Sequence, residues 1–317
     1  MGFCLSAYHR DGTGACQLTS FCAPVVVFGY NRPDHLSKTL TALAQADMAA
    51  KTRVWVFSDG PRNTDAEVQV IAVRELLLEP KWQEVFAGFT VIEAEQNKGL
   101  ANSIISGVSQ ILELHDQVIV LEDDLIVSKD FLCFMNDCLK YYGDDQKVGS
   151  ITGFCPLTGI SPAYAHDVMA VPRNCSHGWA TWADRWFEVD WMARDALRVK
   201  NDRNLRRTLN SAGSDRLDRL RRQLAGQIDS WSIRFGLWQV LTGRHTIYPV
   251  DNRIQNIGFD GSGIHTRVGE AKNSEISDEA IAYKLTSPEI SPDILSAFHA
   301  TYSGSILSRL RRGIRNL

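Results

Sequence analysis

The sequence predicts an α/β fold built on a mostly parallel central sheet. Two observations carry this. Short, continuous apolar runs recur between segments whose apolar residues fall at helical spacing, the pattern of βαβ units. Strands buried on both faces of a parallel sheet read as unbroken apolar runs rather than alternating ones. A third observation concerns where the polar residues fall. They gather just after the apolar runs, at the edge where such sheets bind ligands.

The elements follow in order. Val25-Val26-Val27-Phe28 is the first predicted strand, broken by Gly29-Tyr30-Asn31-Arg32-Pro33. Leu36, Leu40, Leu43 and Ala44 then mark a helix behind Asp34, a candidate cap. Val54-Trp55-Val56-Phe57 is the second strand, ended by Ser58-Asp59-Gly60-Pro61, and a helix is expected from about Asp65 to Leu78. Phe89-Thr90-Val91-Ile92 is the third strand. Asn97-Lys98-Gly99 turns the chain into a helix over Leu100 to Leu114. Gln117 to Leu121 is the fourth strand, closed by Glu122-Asp123-Asp124, with a helix from Lys129 to Tyr142. Beyond Ser150 the pattern changes. Val148 to Thr152 reads as a strand, and Trp179, Trp182, Trp186 and Trp191 crowd one segment. Residues 194–224 are basic and helical in pattern, Asp229 to Leu241 is a helix, and Thr246 to Val250 precede a glycine-rich stretch from Gly258 to Thr266.

With 317 residues, 44% of them hydrophobic and 22% charged, the chain has ample length for one large core. A net charge of −3 gives no global pull toward nucleic acid. Seven cysteines without a CxxC pair suggest neither a zinc site nor a disulfide framework, so a cytoplasmic setting is expected. Residues 1–22 lack a signal-peptide layout and are expected to form an N-terminal extension. The tail, residues 306–317, mixes leucine and isoleucine with four arginines, a composition suited to peripheral contact with anionic lipid at the inner face of a membrane. Deleting it tests that contact.

Three adjacent carboxylates after a buried strand repel one another, and a divalent cation offsets that repulsion. Mg²⁺ takes oxygen ligands, usually one or two carboxylates plus substrate phosphates. The plainer reading is a solvated acidic turn with Asp124 near a helix start. Asp59 is placed to accept from a nucleobase or ribose, or to serve only its turn; Arg32 and Lys98 suit a base or phosphate, or the surface. Asp229 beside Trp231 is a candidate general base, with a helix N-cap as the rival reading. His265 is a candidate metal ligand on a glycine-rich loop. Trp179 is the tryptophan expected to face a sugar, although tryptophans more often fill cores.

Taken in order, Pro24 to Pro33, Phe57 to Gly60, Asn97 to Ala101, Val120 to Leu125, Gly178 to Trp186, Asp229 to Trp231 and Gly258 to Thr266 resemble GT-A-fold glycosyltransferases. More narrowly they resemble bacterial family-2-type enzymes and the related N-acetylglucosaminyltransferase I group. The resemblance implies a metal-dependent transferase of polysaccharide biosynthesis. Its donor would be a nucleotide-sugar, a UDP-sugar first, its cofactor Mn²⁺ or Mg²⁺, and its acceptor a glycan or lipid-linked glycan. Residues 23–150 would form the donor half, 151–268 the acceptor and catalytic-base half of the same domain, and 269–317 a helical tail. By the same resemblance Asp124 ligates metal. Asn31, Arg32, Asp59, Asn97, Lys98, Glu122, Asp123 and Trp179 surround the donor, Asp229 deprotonates the acceptor hydroxyl, and His265 is a late metal contact. That group carries two adjacent aspartates between tryptophans where this chain has Ile228-Asp229-Ser230-Trp231. A sugar nucleotidyltransferase and a non-catalytic sugar-binding protein are the alternatives. The first calls for a glycine-rich, basic loop where Gly29 to Pro33 stand.

Overall fold

Runs of β-branched residues with no polar interruption fold as interior strands, and the computed structural model, which describes residues 8–9, 22–261 and 276–303, shows where each run goes. In chain order the first half holds β1 (Tyr8–His9), β2 (Val25–Gly29), α1 (Pro33–Gln45), a 3-10 turn (Ala49–Lys51), β3 (Arg53–Ser58), α2 (Thr64–Leu77), α3 (Lys81–Val85), β4 (Gly88–Glu93), α4 (Leu100–Leu112), β5 (Gln117–Glu122), β6 (Leu125–Val127), α5 (Phe131–Tyr141) and β7 (Val148–Thr152). The second half holds β8 (Val168–Val171), β9 (Trp179–Trp182), α6 (Ala183–Trp186), α7 (Ala196–Asn201), α8 (Arg203–Asn210), α9 (Arg216–Leu224), α10 (Trp231–Thr242), β10 (His245–Pro249), β11 (Ile254–Asn256), β12 (Lys284–Leu285) and α11 (Pro292–Tyr302).

Among the described residues one sheet has eight strands in the order β4-β3-β2-β5-β9-β7-β10-β8. The pairs β4–β3, β3–β2, β2–β5 and β7–β10 are parallel, while β9 runs against β5 and β7, and β8 against β10. The sheet is therefore mixed and mostly parallel, with helices on both faces. Alternation along β2 and β5 explains their composition. Val25, Val27, Ile119 and Leu121 pack under α1 and α5, whereas Val26, Phe28, Val118 and Val120 pack under α4 and α10. Both faces of these strands are inside, so neither tolerates a polar residue until the strand ends.

The Trp-rich segment is part of this sheet. Trp179 to Trp182 form β9, inserted antiparallel beside β5, with Trp179 opposite Val120. That corrects its reading as a ligand platform. Trp179 is 1% exposed and stacks on Trp231 at 4.6 Å and Trp186 at 5.6 Å, because its side of the sheet is roofed by α10. None of the helices among the described residues is long and apolar enough to cross a membrane. Residues 262–275, with His265, and residues 304–317 lie outside the described residues.

Candidate functional site

The parallel strands all deliver their carboxyl ends to one edge. β2 presents Asn31 and Arg32 there, β3 presents Asp59, β4 leads to Asn97 and Lys98, and β5 ends in Glu122, Asp123 and Asp124. Because β9 runs the other way, its start brings His177 and Gly178 to the same edge.

Arg32 is the cation that meets the carboxylates at this edge. Its Nη2 contacts Asp123 Oδ1 and lies 2.9 Å from Asp124 Oδ2. Its Nη1 is buried without a partner. Thr39 Oγ1 on α1 donates to the Asp123 carbonyl at 2.9 Å, fixing the turn after β5. One guanidinium faces three carboxylates, and the surplus negative charge shows in their acidities. Burial, then Asp124 and Asp123, push the Glu122 carboxyl up to about 8. Burial also pushes Asp123 up, to about 6, against the pull of Arg32. Arg32 itself is held above its usual range by the two aspartates, which outweigh its burial.

Two further segments close over Asp124. β6, which follows it directly, pairs with β11, setting Leu125 opposite Asn256. Ile257 N then donates to the Asp124 carbonyl at 2.9 Å. A β-carbon at position 258 would overlap Asp124 Oδ2, so a larger residue there would push the carboxylate aside. Asp260 continues this loop and pairs with His35 of α1 at 3.1 Å.

The other predicted residues divide. Asp59 is not free to accept from a nucleobase. Its Oδ1 accepts from Gly60 N at 3.0 Å and Lys98 N at 2.8 Å, and its Oδ2 from Asn97 Nδ2 at 3.0 Å and Gly99 N at 3.1 Å. Four donors fill an ionised carboxylate. Asp59 thereby pins the turn that carries Asn97 and the exposed Lys98, and the Asn97 amide is committed to the same turn. Asn31 is half-buried beside Arg32. Asp229 does not cap α10. The helix starts at Trp231 and Ser230 is the cap, its side chain accepting from Ile233 N. Asp229 stands just outside, half-exposed and paired with Arg234 Nη2 at 2.6 Å. The stack of Trp231 on Trp179 brings this end of α10 to the carboxyl end of β5.

His177 and Asn256 belong to this edge and were not anticipated. The His177 ring packs on Phe154 with centroids 4.8 Å apart, and its Nε2 lies 3.4 Å from Asn256 Nδ2. Its Nδ1 is buried without a partner. Burial holds the imidazole below its ordinary pKa although Asp124 pulls it up. The one signal for His177 was its place just before Trp179, legible only once that segment is read as a strand beside β5.

Among the described residues no three His, Cys, Asp or Glu side chains converge as a ready metal cage. The donor chemistry nonetheless suits a hard divalent cation. Asp124 offers carboxylate oxygen beside uncompensated charge that drives Glu122 toward protonation, and such ions complete their shell with phosphate oxygens and water.

No protein-family model matches the sequence. No curated protein matches it either. Among solved structures it is similar to S. aureus TarS, with 13% identity over 74% of this chain and 36% of that one at a TM-score of 0.43. It is similar to the glycosyltransferase GlyE in Streptococcus pneumoniae TIGR4, with 13% identity, 73% and 46% coverage and a TM-score of 0.37. It is also similar to the mannosyltransferase PcManGT from Pyrobaculum calidifontis, solved in complex with GDP-Man and Mn²⁺, with 19% identity, 54% and 47% coverage and a TM-score of 0.37. The chain spans less than half the length of each of these three structures.

Proposed function

We propose that this chain is a metal-dependent glycosyltransferase of the GT-A type. Its donor is a UDP-sugar, and it moves a hexosyl or N-acetylhexosaminyl group to a hydroxyl of a glycan or lipid-linked glycan. The observation that carries the reading is the carboxylate triplet at the end of β5, set against Arg32 on the ligand-binding edge of the parallel strands. The ordered motifs of the sequence support it.

In this reading Asp124 holds Mn²⁺ or Mg²⁺, with Glu122 and Asp123 beside it. The ion, when bound, neutralises charge on the nucleoside diphosphate leaving group. Arg32, paired with both aspartates, would orient the donor through its uncommitted Nη1. Lys98, carried on the turn that Asp59 fixes, reaches toward phosphate. Asp229 takes the proton from the acceptor hydroxyl, so that the oxygen attacks in line and the anomeric configuration inverts.

The acidities supply a signed test. A carboxyl whose folded pKa is raised stabilises the fold below its unfolded pKa, and that contribution is lost as pH rises through the folded value. For Asp123 and Glu122 the window runs from the ordinary carboxylate range up to about 6 and about 8. A metal at the triplet reverses this loss, because binding displaces protons. Thermal shifts with UDP-, GDP-, CMP- and dTDP-sugars, with and without Mn²⁺, are expected to single out a UDP-sugar only when Mn²⁺ is present. The Mn²⁺ contribution is expected to grow as pH rises across that window. A shift that does not change with pH places the metal elsewhere, and no shift with any donor ends the reading.

Asp229→Asn is expected to lower kcat by on the order of 10²–10⁴-fold with donor affinity unchanged, the range for loss of a general base. An unaltered transfer rate assigns that role to another residue.

A further inference from the structure

A second charged cluster lies beneath the start of α10. Arg216 and Arg219 stand one turn apart on α9, on the face toward α10. Arg219 is exposed and donates to Ser230 Oγ at 3.3 Å. Arg216 is 3% exposed and makes one hydrogen bond, to Asn174 Oδ1 at 2.5 Å. A β-carbon on Gly236 would overlap its guanidinium, so α10 carries a mid-helix glycine where that group is seated. Asp215 spends both oxygens on Arg173, with Nη1–Oδ1 at 2.8 Å and Nη2–Oδ2 at 3.0 Å. Arg173 is buried too, under the Tyr302 ring at 3.7 Å.

Two buried guanidinium groups therefore lie beside one carboxylate, which is spent on Arg173, and among the described residues no acid forms an ion pair with Arg216. Burying a cation without its counter-ion is costly. Burial and then Arg173 push Arg216 down to about 9, for a side chain that ordinarily stays charged. The neighbouring Asn174 Nδ2 is buried with no acceptor. Every uncommitted group here is a donor, and the cluster is short of negative charge. A phosphoryl group answers both, since it is anionic, offers several acceptor oxygens and matches the guanidinium fork. Arg219 leads outward from this cluster to Ser230, the residue next to Asp229.

We propose that Arg216 and Asn174 form a phosphoryl-binding site, with Arg219 on its solvent side and Arg173 held behind by Asp215, and that the acceptor carries a phosphoryl group which docks there. The acceptor assignment rests on the glycosyl-transfer reading, whereas the anion site does not. The test uses the full chain in chelator, without donor, so that it stands apart from sugar transfer. Inorganic phosphate and phenyl phosphate are titrated calorimetrically against chloride at matched ionic strength. Both are expected to bind saturably. Arg216→Met is expected to weaken binding on the order of tenfold, the scale of one lost charge-assisted bond, whereas Arg207→Met on exposed α8 leaves it unchanged. If Arg216→Met does not fold, Asn174→Ala, which keeps both cations, is expected to weaken binding several-fold. Binding of inorganic phosphate alone refutes the acceptor assignment. No saturable binding, or equal binding in the native protein and whichever of these two site variants folds, overturns the site itself.

Discussion

Asp124→Ala is expected to lower sugar transfer by on the order of 10³-fold and to abolish the Mn²⁺-dependent thermal shift, while the protein stays folded. Folding should survive because the backbone contacts that fix this corner do not use the carboxylate, and Arg32, which loses Asp124, keeps Asp123. The Asp124 carbonyl, not its side chain, receives Ile257 N, and Thr39 holds the Asp123 carbonyl. Removing the carboxylate also relieves repulsion on Glu122, whose carboxyl Asp124 helps to push up. The variant is thus expected to be as stable as the native chain or more so at pH 8, and inactive. Donor turnover that persists after this substitution sinks the metal-site reading, whatever happens to stability.

Arg253→Met is expected to cost about 3–5 kcal/mol of folding stability, read from the urea midpoint. Arg253 is 1% exposed and Asp130 is fully buried, with Arg253 Nε 3.0 Å from Asp130 Oδ2. The guanidinium lies over the rings of Phe134 and Tyr283, at 4.3 Å and 5.1 Å. Asp130 also accepts from Ser128 Oγ and from Ile281 N, so the pair ties α5, the β6–β11 ribbon and the segment before β12 together. Deleting the cation leaves a buried carboxylate with neutral donors alone. A second change, Asp130→Asn, is expected to return much of the loss, because the penalty lies in the stranded charge. A loss below about 1 kcal/mol in the single variant shows that water reaches the pair.

The parallel half of the sheet was legible because its strands are buried on both faces, which leaves Val25 to Phe28 and Gln117 to Leu121 without polar interruption. β8 and β9 were not, since four residues are too few to show a period. The aromatic content of Trp179 to Trp182 also suits a sugar platform as well as a strand. The acidic triplet declared itself through charge. Asp59 did not, because Ser58-Asp59-Gly60-Pro61 reads the same whether a ligand or the amides of Lys98 and Gly99 take the carboxylate. His177 and Asn256 reach the site through an antiparallel return and a pairing of residues 125–127 with 254–256, and no local spacing encodes either.

That last pairing has a consequence for assembly. All four strands from β2 to β5 lie within residues 25–122, so the four-stranded parallel block can form once the chain is made as far as Glu122, although β5 must itself return across the intervening chain to pair with β2. β6 must wait for β11, across a closure of more than a hundred residues, and entropy makes such contacts slow to form. The carboxylates therefore sit at a seam between an early-folding block and a late-arriving strand. Until that strand arrives, the most repulsive corner of the sheet stays open to water, where its charge costs least.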